Sequence, residues 1–421
     1  MKKIKKIFSI LGPGFITGAS DDDPSGIATY SQTGALFGFA QAWTALFSFP
    51  MMVAIQEMCG RIGLVSGKGL AGVIRLHYPK KVLYSSVFLL FLANTINIGA
   101  DLGAMAASAQ LVFGFPFVYW LIGMVVLTLV LEIFVSYKTY SKYLKYLALA
   151  LLSYVVAAFT IKLDWKEVFA SLIIPHIEFN KTYIFNIVAI LGTTISPYLF
   201  FWQADEEVEE EVAHHKLRRM GAGQPRITPK DISRLRLDTV IGMLFSNLVM
   251  FFIIITTGTT LFTHGITKIN SASDAALALK PLAGDYAFLL FAVGIVATGL
   301  LALPILAGSA SYAVSESFGW REGLYQKLNR AHGFYGVITI ATLVGLLINF
   351  IGIDPIVALY YSAVINGIIA PPLIVMILLI ANNKKIMGER TNSPFLNILG
   401  ALTAFIMGLS AVILLFSLFI K

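Results

Sequence analysis

Residues 12–29 read GPGFITGASDDDPSGIAT, and this stretch interrupts the first long apolar run of the chain. Three consecutive aspartates, Asp21 to Asp23, are followed by Pro24, which removes a backbone hydrogen-bond donor. Gly26 comes two residues later and favours an unwound backbone. The stretch therefore predicts a helix that is broken near its middle.

The composition around this stretch is that of a membrane protein. Of 421 residues, 57% are hydrophobic and only 13% are charged, which leaves too little polar surface for a water-soluble protein. The net charge of +8 comes from lysines and arginines between apolar runs, so we expect no nucleic-acid partner. Cys59 is the single cysteine, which excludes an intrachain disulfide and a thiolate metal cluster.

Eleven apolar runs are long enough to cross a bilayer. If the N-terminus is cytoplasmic, 25 of the 31 lysines and arginines fall on the inside, as the positive-inside rule requires. We predict an all-α, multi-pass protein of the cell membrane, with a cytoplasmic N-terminus and an extracytoplasmic C-terminus. The runs lie at residues 8–38, 41–64, 82–113, 115–136, 146–163, 184–213, 237–262, 285–312, 335–353, 355–382 and 395–420.

A second break occupies the matching place in the sixth run, where residues 193–198 read TTISPY. A single proline in a membrane helix is commonly only a kink. Here, however, each break lies in the first helix of a five-helix block, and the two blocks have opposite orientations. That pattern marks the substrate site of many secondary transporters. We predict one transmembrane domain, composed of a first repeat (8–163), an inverted second repeat (184–382) and a peripheral helix (395–420).

The polar groups at the breaks are suited to a small, hard cation. A carboxylate at membrane depth costs roughly 2.5 to 3.5 kcal/mol, so three together must face water, protein dipoles or a cation. Carboxylates, carbonyls and hydroxyls favour Mg2+, Ca2+, Mn2+ or Na+ over copper. Asn94, Asn97 and Asp101 in the third run either extend this polar region or satisfy contacts between helices.

An acidic run follows the second break, where residues 205–211 read DEEVEEE. Like charges spaced four residues apart on a helix repel each other. Two interpretations are open: a solvated helix end, or an acidic vestibule that concentrates cations at the inner mouth. His214 and His215 come next and lack a third ligand at a fixed spacing, so they are interpreted as loop residues.

Together, these motifs resemble the NRAMP divalent-metal transporters, and more closely the NRAMP-related magnesium transporter branch. The resemblance covers residues 10–385 and is strongest in the two broken helices. It implies a LeuT-like fold with ten core helices in inverted repeats and one peripheral helix. The matching motifs are residues 12–15, 23–29 and 61–68, Asp101 with Leu102, and Asp238 and Thr239 with Asn247.

Departures from the family pattern suggest which ion is carried. Gly26 stands where the family has an asparagine, and Ser196 stands where it has a methionine, so a soft thioether ligand is absent. The resulting all-oxygen site favours a partly hydrated Mg2+ over Mn2+. Ala104 replaces the glutamate of the family's presumed proton route, and Tyr198 and Gln203 replace two histidines. These losses favour transport without proton coupling.

The resemblance thus implies a secondary-type transporter of divalent metal ions, with no cofactor and no obligate protein partner besides the lipid bilayer. Two alternatives stay open: a proton-coupled Mn2+ or Fe2+ transporter, and a Na+-coupled carrier of organic solutes on the same fold. Motifs for a nucleophile with its base are absent, so we expect no enzyme. The candidate metal ligands are Asp22, Asp23, Gly26, Thr193 and Ser196, and the candidate pathway residues are Asp21, Ser25, Asp101, Tyr198, Gln203, Asp205, Glu206 and Glu209.

Overall fold

A computed structural model describes residues 12–135 and 151–419. In these ranges the chain forms helices, turns and irregular segments and no β-strand, which confirms the predicted all-α class. Parts of four predicted runs, residues 8–11, 136, 146–150 and 420, lie outside the described residues.

The helices are numbered here in chain order. Several short 3-10 turns connect them. The helices are α1 (Pro13–Asp21), α2 (Pro24–Phe37), α3 (Trp43–Ser66), α4 (Leu70–His77), α5 (Lys80–Phe113), α6 (Phe117–Phe134), α7 (Leu152–Thr160), α8 (Trp165–Ile173), α9 (Lys181–Thr194), α10 (Pro197–Ala213), α11 (Pro229–Thr260), α12 (Ala272–Ala276), α13 (Lys280–Ala283), α14 (Ala287–Phe318), α15 (His332–Ile348), α16 (Pro355–Ala381), α17 (Lys384–Met387) and α18 (Pro394–Phe419).

Each of the eleven predicted runs overlaps one of these helices or a helix pair, but not all of them qualify as spans by length and composition. Among the described residues, seven segments qualify, and α15 is apolar but shorter. The pair α1 and α2 is interrupted by aspartates, and α3 contains Gln56, Glu57 and Arg61. The count of eleven and the division into repeats stay predictions. The qualifying segments are Lys80–Phe113, Phe117–Phe134, Lys181–Ala213, Pro229–His264, Ala272–Phe318, Pro355–Ala381 and Pro394–Ser417.

The seventh predicted run was placed at 237–262, but α11 begins eight residues earlier, at Pro229. The reason is a capping box: the Thr228 hydroxyl accepts the Asp231 N–H, and the Asp231 carboxylate accepts the Thr228 N–H at 2.7 Å. Capping provides hydrogen-bond partners for backbone N–H groups at the start of a helix, and a hydropathy pattern carries no information on them. The extra turns carry polar residues toward the end of the molecule at which α10 also ends.

Both predicted breaks are present. α1 ends at Asp21 and α2 begins at Pro24, while α9 ends at Thr194 and α10 begins at Pro197. Each break leaves two residues outside the helices, followed by a proline at the first helical position. Proline is tolerated there because that N–H has no partner within a helix.

The first half-helix, α1, is held against α11 by a carboxylate and by glycines. The Asp238 carboxylate accepts the N–H groups of Gly12 and Gly14 at 2.9 and 2.7 Å, which caps the start of α1. Further along, a Cβ on Gly18 would lie 2.2 Å from the backbone oxygen of Gly242. Only glycine therefore permits this approach of the two backbones.

The outer helices expose large apolar side chains. α18 packs against α9 and α16 and exposes Phe395 and Phe405 on its other side. On α6, Tyr119 and Phe134 are similarly exposed. An exposed apolar surface of this extent is expected to face lipid.

Candidate metal site and its approaches

The two helix breaks meet in the interior of the protein. The hydroxyl oxygens of Ser25 and Thr193, which lie beside the first and the second break, are 3.4 Å apart. A Cβ on Gly26 would lie 3.1 Å from the Asp21 carbonyl oxygen and 3.4 Å from the Thr193 hydroxyl, so the absence of a side chain lets the two breaks approach closely. Ser25 and Thr193 are each 1% exposed, so both hydroxyls are buried inside the protein.

Asp23 is held rigidly at this junction. One of its carboxylate oxygens accepts the Gly26 N–H at 2.7 Å and the Ser25 hydroxyl at 2.6 Å. The other accepts the Asn97 side-chain amide of α5 at 2.9 Å. Asn97 is in turn fixed by the Ser362 hydroxyl of α16, which donates to its amide oxygen at 2.7 Å. Three helices thus orient one carboxylate, as expected for a binding group that must keep its geometry.

The two preceding aspartates share one hydroxyl from α11. Ser246 lies 2.6 Å from a carboxylate oxygen of Asp21 and 3.3 Å from one of Asp22, and its single proton can serve one at a time. The other oxygens of Asp21 and Asp22 are buried without a hydrogen-bond partner among the described residues. Ser246 was not singled out from the sequence, since a lone serine in an apolar helix gives no signal.

Asp101 lies one helical turn beyond Asn97 on α5. It is fully buried, and neither carboxylate oxygen has a hydrogen-bond partner in the described chain. None of the ion pairs formed by residues 12–135 and 151–419 involves Asp101 or the aspartates of the first break. The junction is therefore rich in buried carboxylate oxygens, and no lysine or arginine of the described residues lies within 4 Å to neutralise them. Such an environment attracts a cation or protons.

The second break contributes hydroxyl oxygens that already donate hydrogen bonds to backbone carbonyls. The Ser196 hydroxyl donates to the carbonyl of Gly192 or Thr193, at 2.7 and 2.8 Å. The Tyr198 hydroxyl donates to the Ser20 carbonyl at 3.0 Å, which ties α10 to α1. The Ser196 oxygen keeps lone pairs that could bind an ion, whereas Tyr198 has a structural contact of its own.

Gln203 lies two turns beyond Ser196 along α10. Its amide donates to the Glu207 carboxylate at 3.0 Å, so its hydrogen bond is directed away from the break. The structure brings Asp21, Asp22, Asp23, Ser25, Gly26, Thr193 and Ser196 to the junction, and Tyr198 and Asp101 border it.

The acidic run after the second break is not an open, solvated end. Asp205 is 0% exposed and Glu206 is 7% exposed, because α10 packs between α3 and α14. Glu209 accepts the Tyr312 hydroxyl and the Leu324 N–H. Within the run only Glu209 and Glu210 are half-buried, and Glu210 pairs with Arg234 at 3.3 Å. Glu211, the last residue of the run, is 3% exposed and pairs with Lys216. The interpretation as a solvated helix end is therefore wrong for most of the run.

One further acidic group lies beside this run, in the segment after α14. Burial, together with the nearby carboxylates of Glu316 and Glu209, raises the pKa of Glu322 to about 10. Glu322 therefore carries a proton at neutral pH unless a cation is close. The sequence did not single it out because it lies more than a hundred residues from the acidic run.

Comparison with known proteins assigns the family. Residues 14–417 match the family described as Nramp, natural resistance-associated macrophage protein-like. The chain belongs to the Nramp family. Its curated relatives include the divalent metal cation transporter MntH of Caldanaerobacter subterraneus subsp. tengcongensis, 26% identical over 98% of this chain and 94% of the relative. MntH of Yersinia pestis (strain Pestoides F) is also 26% identical, over 99% and 96%.

Solved structures confirm the LeuT-like fold expected for an Nramp chain. The Eremococcus coleocola manganese transporter superposes with a TM-score of 0.77 at 18% identity, over 97% of this chain and 86% of that one. Mhp1, a nucleobase-cation-symport-1 family transporter, gives 0.63 at 13% identity, over 96% and 91%. These relatives are transporters, in agreement with the expectation that this Nramp chain is not an enzyme.

In the described residues of this Nramp chain, acidic, histidine and cysteine side chains do not by themselves form a complete metal-binding cluster. Within the described part of the chain, no group of three or more histidine, cysteine, aspartate or glutamate side chains is arranged to hold a metal ion. An ion at the junction would therefore also use carbonyl oxygens, hydroxyls and water. That ligand set suits an ion that keeps part of its hydration shell.

Proposed function

We propose that this Nramp chain carries divalent metal cations through the junction of the two helix breaks, with Mg2+ as the preferred ion. The main support is the group of four buried carboxylates, Asp21, Asp22, Asp23 and Asp101, which form no ion pair among the described residues. A buried charge without a partner is costly, and a divalent cation compensates it directly.

The proposed ligands are Asp22, Asp23, Gly26, Thr193 and Ser196. All are oxygen donors, and no thioether is offered by these positions. Mg2+ is bound in proteins through one or two carboxylates while it keeps several waters. The absence of a methionine at position 196 places the chain, in this proposal, in the magnesium-transporting branch of the family.

We further propose that no proton accompanies the metal. Ala104 and Tyr198 cannot relay a proton near neutral pH, and Gln203 is an amide that donates to Glu207. The driving force is then electrical: a divalent ion that crosses 100 mV releases about 4.6 kcal/mol, twice the value for one charge.

One observation favours a second candidate, a proton-coupled manganese transporter. Asp101 is buried with two unpartnered carboxylate oxygens, which makes it able to accept a proton near the junction. The proteins of similar structure named above include one manganese transporter.

Transport in proteoliposomes separates these two functions. With an inside-negative potential and a pH dye inside, we expect Mg2+ uptake without internal acidification, and Mn2+ and Ca2+ serve as competing ions. Protein-free liposomes are the control for leak. Acidification that depends on both metal and protein would establish coupling and contradict the uncoupled mechanism.

The second break provides a test of ion selectivity. Ser196→Met should lower the preference for Mg2+ over Mn2+ by about 10-fold, since a thioether binds softer ions and offers little to Mg2+. Ser196→Ala is the matched control, because it removes the hydroxyl without adding sulfur. Equal Mg2+ to Mn2+ uptake ratios in the wild type, Ser196→Met and Ser196→Ala would show that this side chain does not reach the ion.

The proposed orientation has a direct test, because Cys59 is the only cysteine and it is buried. A cysteine introduced at Lys166 should react with a membrane-impermeant maleimide in intact cells, whereas one at Arg321 should react only after lysis. Both positions are exposed on the protein. The reverse labelling pattern would contradict a cytoplasmic N-terminus.

A further inference from the structure

A second pair of carboxylates converges at the end of α10, away from the helix breaks. Asp205 of α10 is 0% exposed, and neither of its oxygens has a hydrogen-bond partner among the described residues. Glu316, near the end of α14, is also buried, at 5% exposure. The two residues are 111 positions apart in the sequence and are brought together only by the packing of α10 against α14.

The start of α4 holds Glu316 in a fixed position. Its two carboxylate oxygens accept the N–H groups of Gly69 and Gly72, both at 2.7 Å. These are unpaired donors at a helix N-terminus, so the contact fixes the carboxylate without neutralising its charge fully. Arg75, on the same helix, donates to the Glu316 backbone carbonyl at 3.0 Å and forms no ion pair with either carboxylate.

The absence of a side chain at Gly69 lets the two carboxylates approach each other. A Cβ at this position would lie 1.9 Å from an Asp205 oxygen and 2.7 Å from a Glu316 oxygen, so those oxygens are at most about 4.6 Å apart. Oxygens on opposite sides of Mg2+ are about 4.1 Å apart, and those around Ca2+ reach about 5 Å. The upper limit of about 4.6 Å is therefore short enough for one divalent cation to contact both side chains.

The surrounding charges strengthen the need for a cation here. Glu206 and Glu209 both act electrostatically on Asp205 and repel its negative charge. Glu206 and Glu322 each keep one oxygen with no hydrogen-bond partner in the described chain. Lys68 acts on Glu316 from outside the cluster but forms no ion pair with it among the residues described.

We propose that Asp205 and Glu316 form a second cation site, which holds one partly hydrated divalent ion at the cytoplasmic end of the transport path. The proposal rests on the proposed metal transport and orientation. Two carboxylates with several waters are a sufficient ligand set for Mg2+. Because α10 continues directly from the second break, an ion bound here would also fix that half-helix against α14 and α4.

Counting bound ions tests this site independently of transport. Calorimetric or spin-resonance titration of the full-length protein in detergent with Mn2+ should give two ions per wild-type chain. We expect one ion for Asp205→Asn, one for Asp23→Asn and none for the double variant, with affinity at the altered site reduced at least 10-fold. An unchanged stoichiometry and affinity in Asp205→Asn would overturn the second site.

The outcomes separate failure of this site from failure of the proposed function. A single ion that is lost in Asp23→Asn and retained in Asp205→Asn would leave only the junction site. The reverse result would remove the junction site and keep the site at Asp205. Gly69→Ala provides a steric version of the test, since its methyl group would displace the Asp205 carboxylate and should also remove one Mn2+. Gly336→Ala is the matched control, because a Cβ there meets no atom within 4 Å.

Discussion

Asp23→Asn is expected to lower divalent-metal uptake at least about 100-fold while the folded protein remains in the membrane. Even residues that only support a metal ligand change metal affinity by about 10- to 100-fold when they are replaced. Asparagine keeps an oxygen for the Gly26 N–H and the Ser25 hydroxyl, but it removes the charge and turns an amide toward Asn97. Initial rates of Mg2+ and Mn2+ uptake into proteoliposomes measure the effect.

The matched control is Asp354→Asn. Asp354 also precedes a proline and caps the start of a helix, where its carboxylate accepts the Ile356 N–H at 2.9 Å, but unlike Asp23 it is exposed. Loss of a helix cap costs about 1 kcal/mol in either variant. Uptake near wild-type levels in Asp23→Asn, or an equal loss of uptake in Asp23→Asn and Asp354→Asn, would show that Asp23 is not a metal ligand.

Gly18→Ala is expected to destabilise the protein by about 1 to 3 kcal/mol or more, the usual cost of overpacking. The new methyl group would lie 2.2 Å from the carbonyl carbon and oxygen of Gly242, which are backbone atoms and cannot rotate away. α1 must then separate from α11, and this displaces Asp21 from Ser246. We therefore expect both a lower apparent unfolding temperature in detergent and reduced metal uptake.

Gly123→Ala serves as the control for this substitution. Gly123 lies within α6, and a Cβ there would meet no atom within 4 Å. Alanine in an exposed helix position is favoured over glycine by about 0.5 to 1 kcal/mol, so this variant should be as stable as the wild type or slightly more so. An unfolding temperature for Gly18→Ala equal to that of Gly123→Ala would mean that the two backbones do not approach as described.

Local chemistry predicted the main features of the candidate site. The aspartates and prolines predict both breaks from the sequence alone. Proline removes a backbone hydrogen-bond donor and consecutive carboxylates require solvation, wherever they occur in an apolar run. Asn97 and Asp101 were noted as polar residues in an apolar helix, although their contacts could not be assigned. Ser246 and Ser362 could not be found in this way, since a serine can satisfy its hydroxyl within its own helix.

The sequence by itself determined that this is an all-helical membrane protein, where its two helices break and that carboxylates lie at one break. These properties depend on hydropathy, proline and charge, which act over a few residues. Only the tertiary structure decided which groups meet: Asn97 with Asp23, Ser246 with Asp21 and Asp22, and Glu316 with Asp205. Each of these contacts joins segments that are far apart in the sequence. How closely their backbones pack decides whether they meet, and a local sequence pattern carries no information on that packing.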